Sequence, residues 1–152
     1  FDSNDIAAKI SHIVDYLRRR ASHNIDISFV NDFDGRKVTT PHNTVLIGWV
    51  IENLCRNSID AMEGRGQLTV RLLEDSGRLA IDITDTGKGM NKKMSRQIFK
   101  AGFTTKQRGW GIGLSLSKRI IEQYHKGKIF VRSTDIGKGT VMRVVLCQIQ
   151  HI

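Results

Sequence analysis

Apolar residues recur along this chain with two different periods, and the switches between the periods divide it into elements. Ile6, Ile10, Ile13, Val14 and Leu17 fall at helical spacing, so a helix is predicted over residues 1–20, with Ser3 as its cap. Ile25, Ile27 and Phe29 alternate with polar neighbours, which predicts a half-buried strand over 25–33. Residues 34–44 read as a turn-rich connection holding Pro41. The stretch WVIENLCRNSIDAM, residues 49–62, contains neither proline nor glycine and predicts a helix that stops at Gly64, with Gly66 behind it. Two strands, 67–73 and 78–84, meet around Asp75-Ser76-Gly77 as a hairpin. A short helix is expected over 91–100 and a longer one over 112–124, after a glycine-rich loop. Strands 128–133 and 140–148 close the chain, turning at Asp135, Gly137 and Gly139. Helices and strands are segregated enough to predict an α+β fold, a two-layer sandwich with one mixed, largely antiparallel sheet covered on one face by helices.

The helix predicted over 49–62 organises the rest. Ile47, Ile51, Leu54, Ser58 and Ala61 make one apolar or small stripe suited to packing on a sheet. Leu46, Val50, Asn53, Asn57 and Asp60 make a second stripe that begins apolar and then turns polar for two turns. Amides and a carboxylate beside a buried face form either a solvated surface or the wall of a polar cleft.

At 152 residues the chain is one domain of ordinary size. Its 39% hydrophobic and 26% charged residues fit a globular protein and exclude a disordered one. No apolar run reaches the length of a membrane span, and the N-terminus lacks the apolar core of a signal peptide. Cys55 and Cys147 show no metal-ligand spacing and read as reduced thiols of a cytoplasmic protein. The net charge of +9 changes this picture because it is uneven. Between Thr86 and Ile121 there are nine Lys or Arg residues and no acid, a segment suited to an anionic ligand or partner.

Two glycine clusters carry candidate chemistry. The strand ending at Thr84 runs into Asp85-Thr86-Gly87-Lys88-Gly89-Met90. A carboxylate at a strand end can accept a hydrogen bond from an exocyclic amine, and the glycines allow close backbone approach to a flat ligand. The second cluster, Gly109-Trp110-Gly111-Ile112-Gly113-Leu114, opens a helix, where free N–H groups and the helix dipole favour phosphate. It lacks the last glycine and the βαβ context of a dinucleotide fingerprint, and it lacks the Gly-Lys-Ser/Thr of a P-loop.

The order Asn53-x-x-x-Asn57, Asp85-x-Gly87-x-Gly89, Phe99 with Phe103-Thr104-Thr105-Lys106, Gly109-x-Gly111-x-Gly113-Leu114 and Gly137-Lys138-Gly139-Thr140 resembles the catalytic, ATP-binding domain of sensor histidine kinases. That family belongs with gyrase, the ninety-kilodalton heat-shock chaperone and MutL in one ATPase superfamily. The resemblance covers about residues 25–146 and implies the Bergerat-type ATP-binding fold. It implies that Asn57 binds Mg²⁺ bridging the ATP phosphates, and that Asn53 supports phosphates or metal. Asp85 would receive the adenine 6-amino group, with Gly87, Gly89, Met90, Ala61 and Thr140 around the base. Residues 99–108 would form a lid, from which Phe99, Thr104, Thr105, Lys106 and Arg108 reach the nucleotide. Gly109, Gly111, Ile112, Gly113 and Leu114 would hold the triphosphate. Catalysis would rest on Asn53, Asn57 and Lys106, through positioning and charge neutralisation.

One departure stands out. Asp60 takes a position where many histidine kinases carry Lys or Arg, so either Arg56 or the lid cations compensate, or Asp60 helps hold the metal through water. Where gyrase and MutL carry a water-activating Glu this chain has Asn53, with Glu52 beside it about 100° round the helix. This predicts poor ATP hydrolysis and transfer to another acceptor. None of His12, His23, His42, His125 and His151 has the flanks of a phosphoacceptor. The acceptor is therefore expected on a separate domain of a dimeric full-length protein, either cytoplasmic or anchored at the inner membrane. Residues 1–20 would be the link to it and residues 21–152 the catalytic domain, itself monomeric, with a response regulator as downstream partner. The alternative is an ATP-dependent conformational module without phosphotransfer. A nucleic-acid binder is disfavoured, because the basic run coincides with the lid and no aromatic-studded strand offers stacking.

Overall fold

The computed structural model describes residues 3–33, 38–39, 43–100 and 111–151; for residues 3–5, 38–39, 111–113, 147, 150 and 151 it describes only the backbone path. The elements in chain order are α1 (Ser3–Arg20), β1 (Ile25–Asn31), β2 (Val38–Thr39), α2 (Thr44–Met62), β3 (Gly66–Asp75) and β4 (Arg78–Asp85). Then come α3 (Lys92–Gln97), α4 (Gly111–Arg119) with a π-helical turn over Ile120–Tyr124, β5 (Lys128–Asp135), β6 (Gly139–Gln148) and β7 (Gln150–His151).

Five strands form one mixed sheet in the order β1-β3-β4-β6-β5. Only β1 and β3 run parallel; the remaining pairs are antiparallel. The β3–β4 hairpin closes in two residues, Ser76 and Gly77, both with positive φ (52° and 80°), the turn that matches the strand twist. β2 and β7 form a separate small ladder.

Alternation along the strands sends Leu68, Val70 and Leu72 of β3, Ile81 and Ile83 of β4, and Val144 and Leu146 of β6 into one core. Ile47, Ile51 and Leu54 of α2 meet them there, as the first predicted stripe requires. Ile6, Ile10, Ile13, Val14 and Leu17 of α1 are buried in the same core, so α1 packs as part of the domain whatever it connects to. No helix among the described residues is long and apolar enough to cross a membrane.

Helix α2 begins five residues before the stretch from which it was predicted. Asn43 caps it, its side chain accepting from the Leu46 N–H at 3.1 Å, and the helix runs on through Gly48. It ends at Glu63, which is left-handed at φ 54°. His125 fixes the start of α2 in turn. Its Nε2 accepts from the Asn43 N–H at 2.9 Å, so Nδ1 carries the proton and donates to the Ile120 carbonyl at 2.9 Å. The ring is buried, a core histidine with both nitrogens engaged.

The opposite sheet face is polar across its middle, where Arg71, Asp82 and Arg143 stand in register. Asp82 is only 5% exposed and is held bidentately by Arg143, Nε to Oδ1 at 2.7 Å and Nη2 to Oδ2 at 2.8 Å. Arg143 also reaches Asp75 at 3.2 Å, and Arg132 approaches Asp82 at 3.4 Å. The hydrogen bond to Asp82 is the main reason the Arg143 pKa is raised. Removing one partner strands the other charge, at a cost of about 3–5 kcal/mol for a buried pair. Asp82→Ala is therefore expected to lose about 3 kcal/mol, the lower figure because Asp75 still holds Arg143. Urea denaturation checks this, and nucleotide affinity should be unchanged in the folded variant.

Candidate functional site: a cleft along helix α2

Asp85 ends β4 at the centre of the sheet, beside the start of β6, and is 5% exposed. Its Oδ1 accepts from the Gly87 N–H at 2.8 Å and the Thr140 N–H at 3.3 Å. Ser58 lies close enough to favour the ionised form of the carboxyl. Among the described residues no cation pairs with it. Burial dominates and raises the carboxyl pKa above the ordinary value, against the opposing effects of Gly87, Ser58 and Thr140. A buried carboxylate held by backbone donors, without a counter-charge, suits a ligand that donates a hydrogen bond.

Ser58 was placed in the small, sheet-facing stripe by its spacing; it is buried as that stripe requires, and it also serves Asp85. One turn further along α2, the Ala61 carbonyl accepts from the Lys88 N–H at 3.1 Å. The C-terminal half of α2 thus runs beside the 85–90 loop.

The glycines of that loop are required by close backbone contacts as well. A Cβ on Gly87 would come within 2.7 Å of the Ala61 carbonyl oxygen. Gly89 has φ +69°, and a Cβ there would meet the Asp135 carbonyl oxygen at 2.0 Å. Protein fills the space that the glycines leave. The β5–β6 turn clasps the loop, through Gly137 N–H to the Lys88 carbonyl at 2.8 Å and Met90 N–H to Thr134 Oγ1 at 3.0 Å.

Toward the middle of α2 lie the two amides. Asn53 is 7% exposed and its Nδ2 donates to Ser117 Oγ of α4 at 3.2 Å, joining the two helices. Ser117 itself is fully buried. Asn57 is half-buried, and its Nδ2 is enclosed without a hydrogen-bond partner among the described residues. An amide left unlocked by its neighbours suits orientation by a ligand. Asp60 is exposed and Ala61 half-buried. Glu52 and Arg56 pair with each other at 3.6 Å on the partly exposed side of α2. Arg56, one of the groups weighed as compensating for Asp60, faces Glu52 in this structure.

Phe99 and Leu114 are half-buried against the core, and the Lys118 ammonium lies 5.7 Å from the Phe99 ring centroid. Gly111, Ile112 and Gly113 form the first turn of α4, as expected of a helix opening at the glycine cluster. Phe103, Thr104, Thr105, Lys106, Arg108 and Gly109 lie outside the described residues. Cys55 is buried, its thiol pushed up to about 12 chiefly by burial, which makes it unreactive.

The described geometry brings together Asp85, Gly87, Met90, Ala61 and Thr140 at one end of α2, and Asn53 with α4 at its middle. Ser58, Ser117 and Thr134 join them without having been singled out from the sequence. Ser117 left one signal, a hydroxyl in the buried stripe of a helix; Thr134 left none.

Comparison with known proteins accords with this geometry. Residues 42–149 match the model of the histidine kinase-, DNA gyrase B- and HSP90-like ATPases. Sporulation kinase C of Bacillus subtilis is 29% identical over 94% of this chain and 32% of its own length. The sensor histidine kinase ZraS of Salmonella typhi is 42% identical over 64% of this chain and 21% of its own. This chain thus spans a third or less of these relatives. The nucleotide-free catalytic domain of histidine kinase ThkA superposes with a TM-score of 0.78 at 24% identity, covering 97% of this chain and 95% of that one, and shares its fold. The chain belongs to the histidine kinase-, DNA gyrase B- and HSP90-like ATPase family and, within it, resembles the ATP-binding catalytic domains of sensor histidine kinases.

Proposed function

We propose that this domain binds Mg-ATP in the cleft along α2 and donates the γ-phosphate to a histidine carried on another domain of the same full-length protein. The observation that carries the reading is Asp85, a buried carboxylate held by Gly87 and Thr140 with no cation among the described residues beside it. The adenine 6-amino group supplies the missing donor. Gly87, Gly89, Met90, Ala61 and Thr140 frame the base.

Among the described residues no group of three His, Cys, Asp or Glu side chains could hold a metal by itself. Mg²⁺ commonly takes one or two protein ligands and leaves the rest to phosphate and water. Asn57 would take that role through its Oδ1, its Nδ2 having no partner among the described residues, with Asn53, fixed to Ser117, supporting the phosphates from the same face. Bound there, the ion would neutralise phosphate charge. Lys106, Arg108, Thr104, Thr105 and Phe99 would cover the nucleotide, and Gly109, Gly111, Ile112, Gly113 and Leu114 would hold the triphosphate at the start of α4. Asp60, exposed at the end of the amide stripe, would reach the metal only through water. Helix α1 would link to the acceptor domain, in a cytoplasmic homodimer whose downstream partner is a response regulator.

Phosphoryl transfer of this kind rests on alignment and charge neutralisation. Asn53 stands where gyrase and MutL carry a water-activating Glu, and Glu52 pairs with Arg56 at 3.6 Å. Transfer to a protein acceptor is therefore favoured over hydrolysis. The test is γ-labelled ATP with the full-length protein, reading acid-labile, base-stable label. Such label is expected; ATP bound without label would favour a conformational module. Steady phosphate release from the domain alone, abolished by Glu52→Gln, would assign it to hydrolysis.

A further inference from the structure

Thr134 of β5 sits where the β5–β6 turn clasps the 85–90 loop, and its hydroxyl is used three times. Its Oγ1 accepts from the Met90 N–H at 3.0 Å, lies 2.8 Å from Thr140 Oγ1, and donates to the Gly139 carbonyl at 3.3 Å. A hydroxyl has one hydrogen and two acceptor lone pairs. The Met90 N–H can only donate and the Gly139 carbonyl can only accept. With the Thr134 hydrogen directed to Gly139, the 2.8 Å contact takes its hydrogen from Thr140. The Thr140 oxygen therefore keeps only lone pairs for anything else.

Thr140 is also the residue whose backbone N–H binds Asp85 Oδ1. Asp85 and Thr140 are register partners on β4 and β6, so their side chains share one face of the sheet, and the carboxylate and the threonine oxygen together accept hydrogen bonds and offer none. We infer that Thr134 is a specificity-determining residue: by taking the Thr140 hydroxyl hydrogen it keeps this pair acceptor-only, so that a purine with an amino group at the 6-position is selected over one with a carbonyl. This deepens the ATP-binding reading and rests on it. Thr134 acts through Thr140 and Met90, as a positioning residue.

Inosine triphosphate is the suitable competitor, because it replaces the 6-amino group by a carbonyl without adding a 2-amino group. Thr134→Val keeps the branched shape but removes the acceptor, so the Thr140 hydrogen is free to turn toward a ligand carbonyl. The lost Met90 partner weakens both nucleotides alike, and the ratio of affinities removes that common effect. One neutral hydrogen bond corresponds to roughly three- to tenfold in affinity. The ATP preference over inosine triphosphate, measured by titration calorimetry, is expected to narrow roughly three- to tenfold in Thr134→Val and to recover in Thr134→Ser. Thr134→Ala should narrow it in the same way and replaces the valine variant if that one does not fold. An unchanged ratio in a folded hydroxyl-free variant, with the native protein still selecting ATP, would overturn this inference alone. No ATP binding by the native protein would overturn the nucleotide reading and this inference with it.

Discussion

Asp85→Asn is expected to weaken ATP binding roughly ten- to a hundredfold while leaving the fold as stable as before, or more so, at neutral pH. The first half follows from a hydrogen bond to a charged acceptor, about 1.5–3 kcal/mol, with about 1.4 kcal/mol per factor of ten. Asparagine keeps one oxygen for Gly87 and Thr140 but turns an amide N–H toward the adenine amine, donor against donor. The second half follows from the direction of the Asp85 shift. Burial raises its pKa in the fold, so its contribution favours folding below the unfolded carboxyl value, near 3.9, and is lost as pH rises through the raised folded value. At neutral pH the ionised group costs stability, and a neutral amide removes that cost. Melting curves of both proteins from pH 4 to 8 should show the variant gaining on the native protein as pH rises, then a constant difference. A stability advantage that shrinks with rising pH would contradict the burial argument.

The second large effect is expected at Asn57. Its Nδ2 is enclosed without a partner among the described residues, so the side chain contributes little to holding the fold. Asn57→Ala should melt within a few degrees of the native protein. It should slow phosphotransfer by roughly two to three orders of magnitude, the range found when one pre-organised electrostatic contact is removed from a reacting centre. Selectivity for adenine should persist, because Asp85, Ser58 and Thr140 are untouched. Single-turnover transfer at several Mg²⁺ concentrations reads the effect. A variant with native rate and native Mg²⁺ dependence would remove Asn57 from the metal site.

The contrast between these residues shows which parts of the site a sequence makes legible. Asn53 and Asn57 could be found because a helix repeats its faces every three or four residues, and two amides following Leu46 and Val50 on one stripe break the apolar pattern. Asp85 could be found because a charge at the end of an apolar strand breaks another. Ser58 and Ser117 are small enough to pass for core residues in a periodic stripe; only the partners across space reveal their use. Thr134 looks like any exposed strand residue, since its neighbours come from β6 and the 85–90 loop.

The fold divides in the same way. Helices, the tight hairpin at Ser76-Gly77 and the sequential strand pairs rest on local pattern and turn chemistry, and they stand close to where the sequence puts them. The parallel pairing of β1 with β3 and the ladder of β2 with β7 join distant segments and left no local trace. Helix α2 starts before the proline- and glycine-free stretch 49–62 because it is set by its Asn43 cap and by His125 from eighty-two residues away. Gly87 and Gly89 were noticed for their spacing, but their contacts with Ala61 and Asp135 belong to tertiary structure.

The most direct test of the account is a calorimetric titration of the protein with Mg-ATP and, separately, Mg-GTP. Guanine presents a carbonyl where adenine presents its amine, so the acceptor pair of Asp85 and Thr140 should bind ATP and reject GTP. Selective ATP binding is the predicted result. Equal affinity for the two nucleotides would contradict the role given to Asp85, and with it the orientation of the nucleotide along α2.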